Sequence, residues 1–380
     1  MIDSQQFLDN LKKNSIDFFT GVPDSLLKSF NACLFDHVPA ERHIIAANEG
    51  AAVALATGYH LASNRLALVY LQNSGLGNAV NPLLSLADPE VYGIPMLLMI
   101  GWRGKPGIKD EPQHVKQGKV QNALLEGMEI PYRIINAQSS GYEHVISELA
   151  DLAIEEQKPV ALVVEKNTFL PYALRTEQSV SFGRMTREEA IETILLQVND
   201  PDIVVSTTGM ASRELYELRA ARNQGHHRDF LTVGSMGHCS QIALAISLMH
   251  QNRHVFCLDG DGAVIMHMGS LSITGAQATN NFIHIILNNG AHDSVGGQPT
   301  AARTSDFVAV AKACGYKQAV RTTTGTQLEK AIKSAKTNGG PALIEAMVKP
   351  GARKDLGRPA KTPGENKIDF MKYLNPNHFP

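Results

Sequence analysis

The chain has 380 residues, which is enough for two or three domains of ordinary size. Its apolar fraction of 43% is that of a globular protein, and no stretch approaches the roughly 20 consecutive apolar residues of a membrane-spanning helix. The net charge of −2 gives no reason to expect nucleic acid or an anionic membrane surface as a partner.

The cysteines and the N-terminal segment indicate the cellular compartment in which the protein is expected. The four cysteines lie far apart with no paired spacing, which argues against a disulfide framework or a zinc site and fits a reducing cytosol. The segment MIDSQQFLDNLKKN predicts an ordinary first helix, because it has no long apolar core of the kind found in signal peptides. We therefore expect a cytoplasmic protein.

Short apolar runs alternate with segments of helical period along most of the chain, a pattern typical of a parallel sheet covered by helices. Six strands are predicted in each half. In chain order they are DFFTGV, HIIAA, LALVYLQ, PMLLMIG, YRII and VALVVE, then DIVVST, DFLTVG, HVFCLD, FIHIILNN, KQAVR and ALIEAMV. This pattern predicts an α/β protein made of two similar units.

A weak internal repeat supports two units. Pro159 and Pro341 each open a strand that follows a helix, and they are 341 − 159 = 182 residues apart, although any two α/β strands can look alike. The segment 167–184 has no clear period, so we place a linker there. The predicted domains are 1–170 and 185–365, followed by a tail over 366–380. From Gly351 onward we expect the chain to run over the surface.

Glu49 is the first candidate for chemistry. It follows the strand IIAA and opens a helix of small residues, with only Ala, Val, Leu and Gly nearby in sequence. Burial there would raise the pKa of Glu49, so that it could give and take a proton near neutrality. The alternative is an ordinary glutamate that complements the helix dipole.

The strongest pattern lies in the second half. One predicted strand ends in Asp259-Gly260-Asp261-Gly262, and the next ends in Asn288-Asn289-Gly290, 28 residues from Asp261 to Asn289. That spacing is about one βαβ unit, so both groups should lie at the carboxyl edge of one sheet. Carboxylate and carboxamide oxygens suit Mg²⁺, and the glycines allow close approach of a diphosphate to the backbone.

This arrangement resembles the signature of thiamine diphosphate (ThDP) enzymes. The resemblance implies that Asp261, Asn289 and the main-chain carbonyl of Ala291 bind Mg²⁺, although the spacing leaves Asn288 open as the ligand. Gly260, Gly262 and Ala263 would lie along the cofactor.

A second segment, VGSMG, is similar to the one that holds the aminopyrimidine in this family. The resemblance assigns Gly234, Ser235 and Met236 to the cofactor, with the Met236 side chain wedging it into a bent form. For Met236 the alternative is an ordinary core methionine.

The segment EGAAVALATGY also resembles a helix of the ThDP family. By that resemblance Glu49 shares a proton with the pyrimidine N1′ and serves a diphosphate site on another subunit, which implies at least a homodimer. The implied fold is two doubly wound parallel-sheet domains of the ThDP-binding type. The short linker leaves no room for the central third domain of larger members.

Four further segments resemble the compact two-domain branch of the family, which contains the phosphonopyruvate and sulfopyruvate decarboxylases. They are GVPDS, QNSGLGN, GWRGKPGIKDEPQH and NGAHDSVGGQPT. A substrate with a carboxylate and a second anionic group needs cationic donors. The predicted substrate-binding residues are Asp24, Ser25, Asn73, Ser74, Arg103, Lys105 and Arg303. The alternatives are a helix N-cap for Asp24 and solvated surface charges for the cations.

The resemblance implies ThDP- and Mg²⁺-dependent decarboxylation of phosphonopyruvate to phosphonoacetaldehyde in phosphonate biosynthesis. His114 and His292 are the candidate proton donors to the carbon that loses CO₂. Sulfopyruvate decarboxylation, another 2-oxo acid decarboxylation or a carboligation stay open. So does a different class, a non-catalytic nucleotide-binding module, although the missing G-x-G-x-x-G disfavours dinucleotide binding.

Overall fold

The computed structural model describes residues 1–175 and 183–376. The chain divides into two compact units, Met1–Gln178 and Ser179–Pro380. The described residues form twelve strands in two six-stranded sheets, one in each unit. All twelve strands coincide with runs predicted from the sequence, so the expected fold class is confirmed.

The first unit has the strand order β2-β1-β3-β4-β6-β5, and all its strand pairs are parallel. Its strands are β1 (Phe18–Gly21), β2 (His43–Ile45), β3 (Ala67–Gln72), β4 (Met96–Gly101), β5 (Tyr132–Ile135) and β6 (Pro159–Val164). Its helices are α1 (Ser4–Lys13), α2 (Lys28–His37), α3 (Glu49–Ser63), α4 (Leu76–Pro82), α5 (Pro112–Gly127) and α6 (Tyr142–Glu156), with short helical turns at Asn73–Gly75 and Leu83–Ala87.

The second unit has the order β11-β12-β10-β9-β7-β8, again all parallel. Its strands are β7 (Ile203–Ser206), β8 (Asp229–Leu231), β9 (Val255–Gly260), β10 (Phe282–Asn288), β11 (Gln318–Thr322) and β12 (Ala342–Met347). Its helices are α7 (Arg187–Leu195), α8 (Met210–Ala221), α9 (Cys239–Met249), α10 (Asp261–Met266), α11 (Ser270–Gln277), α12 (Phe307–Ala313), α13 (Gly325–Asn338) and α14 (Pro363–Leu374), with turns at Asp293–Val295 and Ala301–Arg303.

The two sheets have the same topology. If β7–β12 are matched in chain order to β1–β6, the order in the second unit is that of the first read from the opposite edge. Strand β6, which begins at Pro159, and strand β12, which begins directly after Pro341, therefore occupy equivalent places. The weak repeat in the sequence corresponds to this shared topology.

Each sheet is buried on both faces, as a parallel sheet requires. In β3, Leu68 and Tyr70 pack into one hydrophobic cluster while Val69 and Leu71 pack into the cluster on the other face. The second sheet likewise separates two clusters of its own. Alternation along each strand thus fills four cores, two in each unit.

The segment after Gly351 follows the expected surface course only over residues 351–361, where no residue is buried, and then forms a docked helix. Helix α14 begins at a capping box formed by Thr362 and Glu365, and its Phe370 side chain is buried. The Asn366 carboxamide accepts from the Leu231 backbone N–H at 3.1 Å and donates to the Asp229 carbonyl at 2.8 Å. The capping residues and two inward-facing side chains dock this helix beside β8.

The structure also bears on smaller features of the chain. All four cysteines are free thiols. Among the described residues no helix is long and apolar enough to cross a bilayer. The expected linker is described only in part, because 176–182 lie outside the described residues. Its first part packs on the first unit, where Phe169 forms a parallel bridge with Ile2.

Candidate active site

A cavity opens at the carboxyl ends of β7, β9 and β10 in the second unit. Strand β8 lies on one side of β7, and the following strand β9 lies on the other side. The order of the strands therefore reverses between β7 and β9, and open parallel sheets bind ligands at such a switch point. Eight of the residues predicted from the sequence line this cavity: Met236, Gly260, Asp261, Gly262, Ala263, Asn289, Ala291 and His292. Lining residues that the sequence analysis missed include Arg187, Thr207, Thr208, Gly209, Asp259 and Asp293.

Asp261 is the first residue of α10 and is 4% exposed. The Thr300 hydroxyl donates a hydrogen bond to its Oδ2 atom. Burial raises the pKa of Asp261 to about 6, against the lowering effect of the Thr300 hydroxyl and nearby backbone N–H groups. A cation in the cavity would favour the charged form of this carboxylate.

The two consecutive asparagines occupy different environments. Asn288 ends β10 and is fully buried, with its amide donating to Glu345 Oε1 at 2.7 Å and its Oδ1 accepting from the Gly290 backbone at 3.0 Å. Asn289 lines the cavity, and its Oδ1 accepts from the Ala291 backbone at 3.0 Å. The geometry therefore favours Asn289 over Asn288 as a ligand in the cavity.

A buried ionic network stands behind Asn289. Asp293 Oδ2 accepts from the Asn289 amide at 2.6 Å, from Arg187 Nη1 at 3.1 Å and from the Gly351 N–H at 2.9 Å. Arg187 also makes a two-point pair with Glu214, with N···O distances of 2.8 and 2.9 Å. These contacts fix the loop after β10, as outer residues commonly do around a metal site.

Gly262 keeps one side of the cavity open. A Cβ atom at this position would lie 3.2 Å from the His292 ring and 3.5 Å from the Met236 Cε atom. The two side chains thus flank a glycine at the start of α10. Burial lowers the pKa of His292 to about 4, so its imidazole is neutral near pH 7.

The remaining predicted residues of the second unit do not line the cavity. Gly234 and Ser235 have positive φ angles of 74° and 47°, and the Gly234 N–H donates to Thr208 Oγ1 at 3.0 Å. Arg303 Nε donates to the Gly290 carbonyl at 3.0 Å. Arg303 thus supports the loop after β10, and the substrate contact expected of it stays a prediction.

The donor set fits a metal-bound diphosphate. A buried carboxylate, a carboxamide and the backbone of Gly260 and Gly262 meet in one cavity, and a Cβ atom at Gly260 would meet nothing within 4 Å. Hard oxygen donors together with a glycine-lined edge suit Mg²⁺ and phosphate oxygens. Asp261 and Asn289 could supply side-chain ligands there.

Glu49 lies in the first unit at the start of α3, after the N-cap Asn48, and is 5% exposed. Asn78 Nδ2 donates to its Oε2 atom at 2.7 Å. Burial raises the pKa of Glu49, and the hydrogen bond from Asn78 acts in the opposite direction. Glu49 does more than complement the dipole of α3, because its buried carboxyl group accepts a hydrogen bond from Asn78 on a separate helix.

The predicted substrate loops of the first unit meet beside β1, β3 and β4. Arg103 Nη1 donates to Ser25 Oγ at 2.7 Å, while the Arg103 backbone exchanges hydrogen bonds of 3.1 and 2.8 Å with the Asn73 carboxamide. Gln72 Nε2 donates to Asp24 Oδ1 at 2.5 Å and its Oε1 accepts from Ser74 at 2.8 Å. Three loops that are distant in sequence thus form one polar cluster.

Two buried atoms in this cluster lack partners. Among residues 1–175 and 183–376, neither Asp24 Oδ2 nor His114 Nδ1 has a hydrogen-bond partner. Burial raises the pKa of Asp24 and lowers that of His114 to about 4. Helix α2 begins at Lys28 with Leu27 at its cap, so the alternative of Asp24 as N-cap is wrong.

The two cations of the loop after β4 are already paired. Arg103 forms a two-point ion pair with Asp110, a residue that the sequence analysis missed, and this pair holds the pKa of Asp110 down at about 2. Lys105 Nζ lies 2.5 Å from Glu165 Oε1 and above the Trp102 ring, 5.4 Å from its centroid. Neither cation is simply a solvated surface charge.

Comparison with known proteins identifies the family. The C-terminal binding domain of thiamine pyrophosphate enzymes matches residues 207–346, and the N-terminal binding domain matches residues 3–125. The first match contains Asp261 and Asn289, and the second contains Glu49. The matched domains correspond to the two units of the structure.

Curated relatives match along nearly the whole chain. A phosphonopyruvate decarboxylase from Streptomyces viridochromogenes is 35% identical over 98% of this chain and 95% of its own length. One from Streptomyces hygroscopicus is 34% identical over 98% and 94%. A sulfopyruvate decarboxylase from Methanosarcina acetivorans is 28% identical over 91% of both chains. The chain belongs to the family of thiamine diphosphate-dependent enzymes.

Proposed function

We propose that this chain is a ThDP- and Mg²⁺-dependent decarboxylase that converts 3-phosphonopyruvate to 2-phosphonoacetaldehyde and CO₂. The observation that carries the proposal is the cavity in the second unit, where Asp261 and Asn289 meet at the sheet edge beside exposed glycine backbone. The full-length similarity to phosphonopyruvate decarboxylases supports the substrate.

The residues of the second unit hold the cofactor in this proposal. Asp261, Asn289 and the main-chain carbonyl of Ala291 would hold Mg²⁺ with the diphosphate of the cofactor. Met236 would supply an apolar side chain for the cofactor to pack against. When bound, ThDP supplies the electron sink that decarboxylation of a 2-oxo acid requires.

Glu49 and the polar cluster of the first unit do the remaining work. Glu49 holds a proton at the cofactor N1′ atom, a role that suits a buried carboxyl with a raised pKa. Arg103 and Ser25 bind the anionic end of the substrate. Asp24 and His114, with their unpartnered buried atoms, are placed to form hydrogen bonds with a bound molecule.

Both candidate histidines are neutral near pH 7, because burial lowers each pKa to about 4. His114 and His292 are therefore proposed as hydrogen-bond donors that guide a proton to the reacting carbon. We do not propose that either histidine is protonated in the resting enzyme. The assembly in this proposal is a homo-oligomer of at least two chains in the cytosol, within phosphonate biosynthesis, which the family resemblance supports.

The test is a substrate panel. Purified protein with ThDP and Mg²⁺ is given phosphonopyruvate, sulfopyruvate and pyruvate, and CO₂ and aldehyde are measured. We expect aldehyde and CO₂ in equal amounts, with the highest kcat/KM for phosphonopyruvate. Turnover of sulfopyruvate with none of phosphonopyruvate would refute the substrate assignment, and an acyloin product would indicate a carboligase.

A second test is the variant Glu49→Gln, in which the side chain keeps its size but cannot deliver the proton. This variant should bind ThDP with Mg²⁺ as tightly as the wild type in calorimetry while losing most exchange of the cofactor C2–H. Normal exchange in the variant would remove Glu49 from the mechanism.

A further inference from the structure

Asn78 is the one side chain that reaches the carboxyl group of Glu49 from another helix in the described contacts. It lies on α4, 29 residues away in sequence, and its Nδ2 atom is 2.7 Å from Glu49 Oε2. The other carboxyl oxygen, Oε1, faces Gly75, where a Cβ atom would come within 2.0 Å of it. The segment from Gly75 to Asn78 therefore contacts both carboxyl oxygens of Glu49. Asn78 donates a hydrogen bond to Oε2, and Gly75 leaves the space that Oε1 occupies.

The surroundings of Glu49 contain almost no competing charge. The elements packed against α3 are β1, β3, α4 and the turn Leu83–Ala87. Their only titratable side chain is Tyr70, which is fully buried with its pKa raised by burial. On α3 itself, Tyr59 and His60 lie near the far end of the helix. The amide of Asn78 is thus the main polar influence on the carboxyl group besides its own backbone N–H.

We propose that Asn78 is a positioning residue for Glu49, which orients the carboxyl group and sets its affinity for the proton. The inference rests on the function proposed for Glu49 in proton exchange with the cofactor. A hydrogen bond donated to the carboxylate stabilises the charged form, so it opposes the effect of burial. Without Asn78 the carboxyl would keep its proton too tightly and could adopt other rotamers.

The test compares Asn78→Ala and Asn78→Asp with the wild type. Both variants lose the donor, and Asn78→Asp keeps the shape while placing a second carboxyl beside the first. We expect the pKa of Glu49 to rise in Asn78→Ala and to rise further in Asn78→Asp, because like charges oppose ionisation. A role in helix packing alone would not produce this order.

The control is Asn81→Ala, one turn further along α4, where the asparagine is exposed and its bonds are to Ser85. This variant should titrate like the wild type. The readout is the carboxyl carbon resonance of glutamate in ¹³C-labelled protein without cofactor, with the Glu49 signal assigned by its absence from Glu49→Gln. Because no cofactor is present, the result does not depend on the reaction.

A second readout is the rate of C2–H exchange of bound ThDP against pH. We expect about a tenfold slower exchange at pH 7 in Asn78→Ala, the effect of losing one hydrogen bond to a charged group, with the pH profile displaced upward. Titration curves of both Asn78 variants that coincide with the wild type would overturn the inference. Absence of C2–H exchange in the wild type would instead count against the proposed function.

Discussion

Gly75→Ala tests whether the space beside Glu49 is functional. The glycine has φ −85° and ψ −8°, which alanine adopts without strain, so the backbone should accept the change. The added Cβ atom, however, would lie 2.0 Å from Glu49 Oε1, 2.4 Å from Cδ and 2.7 Å from Cγ. Relief to an ordinary contact of 3.4 Å requires a shift of 3.4 − 2.0 = 1.4 Å at the carboxyl oxygen.

A displacement of that size is large for a group that transfers a proton. A misplacement of about 1 Å can cost roughly a hundredfold in rate, so we expect C2–H exchange of bound ThDP to fall about a hundredfold in Gly75→Ala. The proposed Mg²⁺ and diphosphate ligands lie in the second unit, so ThDP affinity in calorimetry should change little. The assay is deuterium exchange at C2 followed by NMR after acid quench.

The matched control for this experiment is Gly77→Ala. This glycine lies two residues further on, and a Cβ atom there meets nothing within 4 Å. Both variants replace a glycine with alanine in the same segment, so a general effect on helix stability would appear in both. Equal exchange rates in Gly75→Ala and Gly77→Ala would refute the steric reasoning.

Two further predictions concern the asparagine pair and His114. Asn289→Ala should weaken Mg²⁺-dependent ThDP binding at least about tenfold in calorimetry. Asn288→Ala should instead lower the free energy of unfolding by about 2 kcal/mol in urea, because the buried Glu345 Oε1 atom loses its hydrogen-bond donor while Oε2 keeps its ion pair with Arg321. The reverse pattern would reassign the ligand. Burial lowers the pKa of His114 from 6.5 to about 4, so the unfolded chain takes up its proton first. Stability should therefore fall by about 3 kcal/mol as pH drops from 6.5 to 4, and His114→Gln should remove that part of the slope. Parallel curves for the two proteins would contradict the burial of this imidazole.

The fold was predictable because buried parallel strands are continuous apolar runs that polar and glycine-rich segments interrupt. This pattern located all twelve strands. The cavity of the second unit was predictable for a related reason, since the polar residues that end β9 and β10 must lie at the same edge of the sheet. Asp261 and the pair Asn288-Asn289 could therefore be identified as candidates without knowledge of the remaining structure.

Other features depend on contacts between residues distant in sequence. Thr300 bonds Asp261 across 39 residues and Arg187 bonds Asp293 across 106, and no local pattern marks either pair. Asn78 is part of the segment QNSGLGN, which is predicted to be a substrate loop. Nothing in that sequence indicates that the Asn78 side chain faces Glu49. Composition alone could not show where these side chains point.

The choice between Asn288 and Asn289 also needed the structure. Both residues have the same chemistry, so the sequence left the ligand open. Strand β10 extends through Asn288, which turns its carboxamide towards Glu345 on the neighbouring strand β12. Only the next residue is released from the sheet and can face the cavity.

The separate cores of the two units have a consequence for how heat should inactivate the protein. Each unit has its own sheet between two hydrophobic clusters, so each can melt as a cooperative block. A calorimetric trace would then contain two overlapping transitions, and no single melting temperature would describe the chain. If only one unit unfolded, turnover would be lost while the other unit kept its native circular dichroism and absorbance.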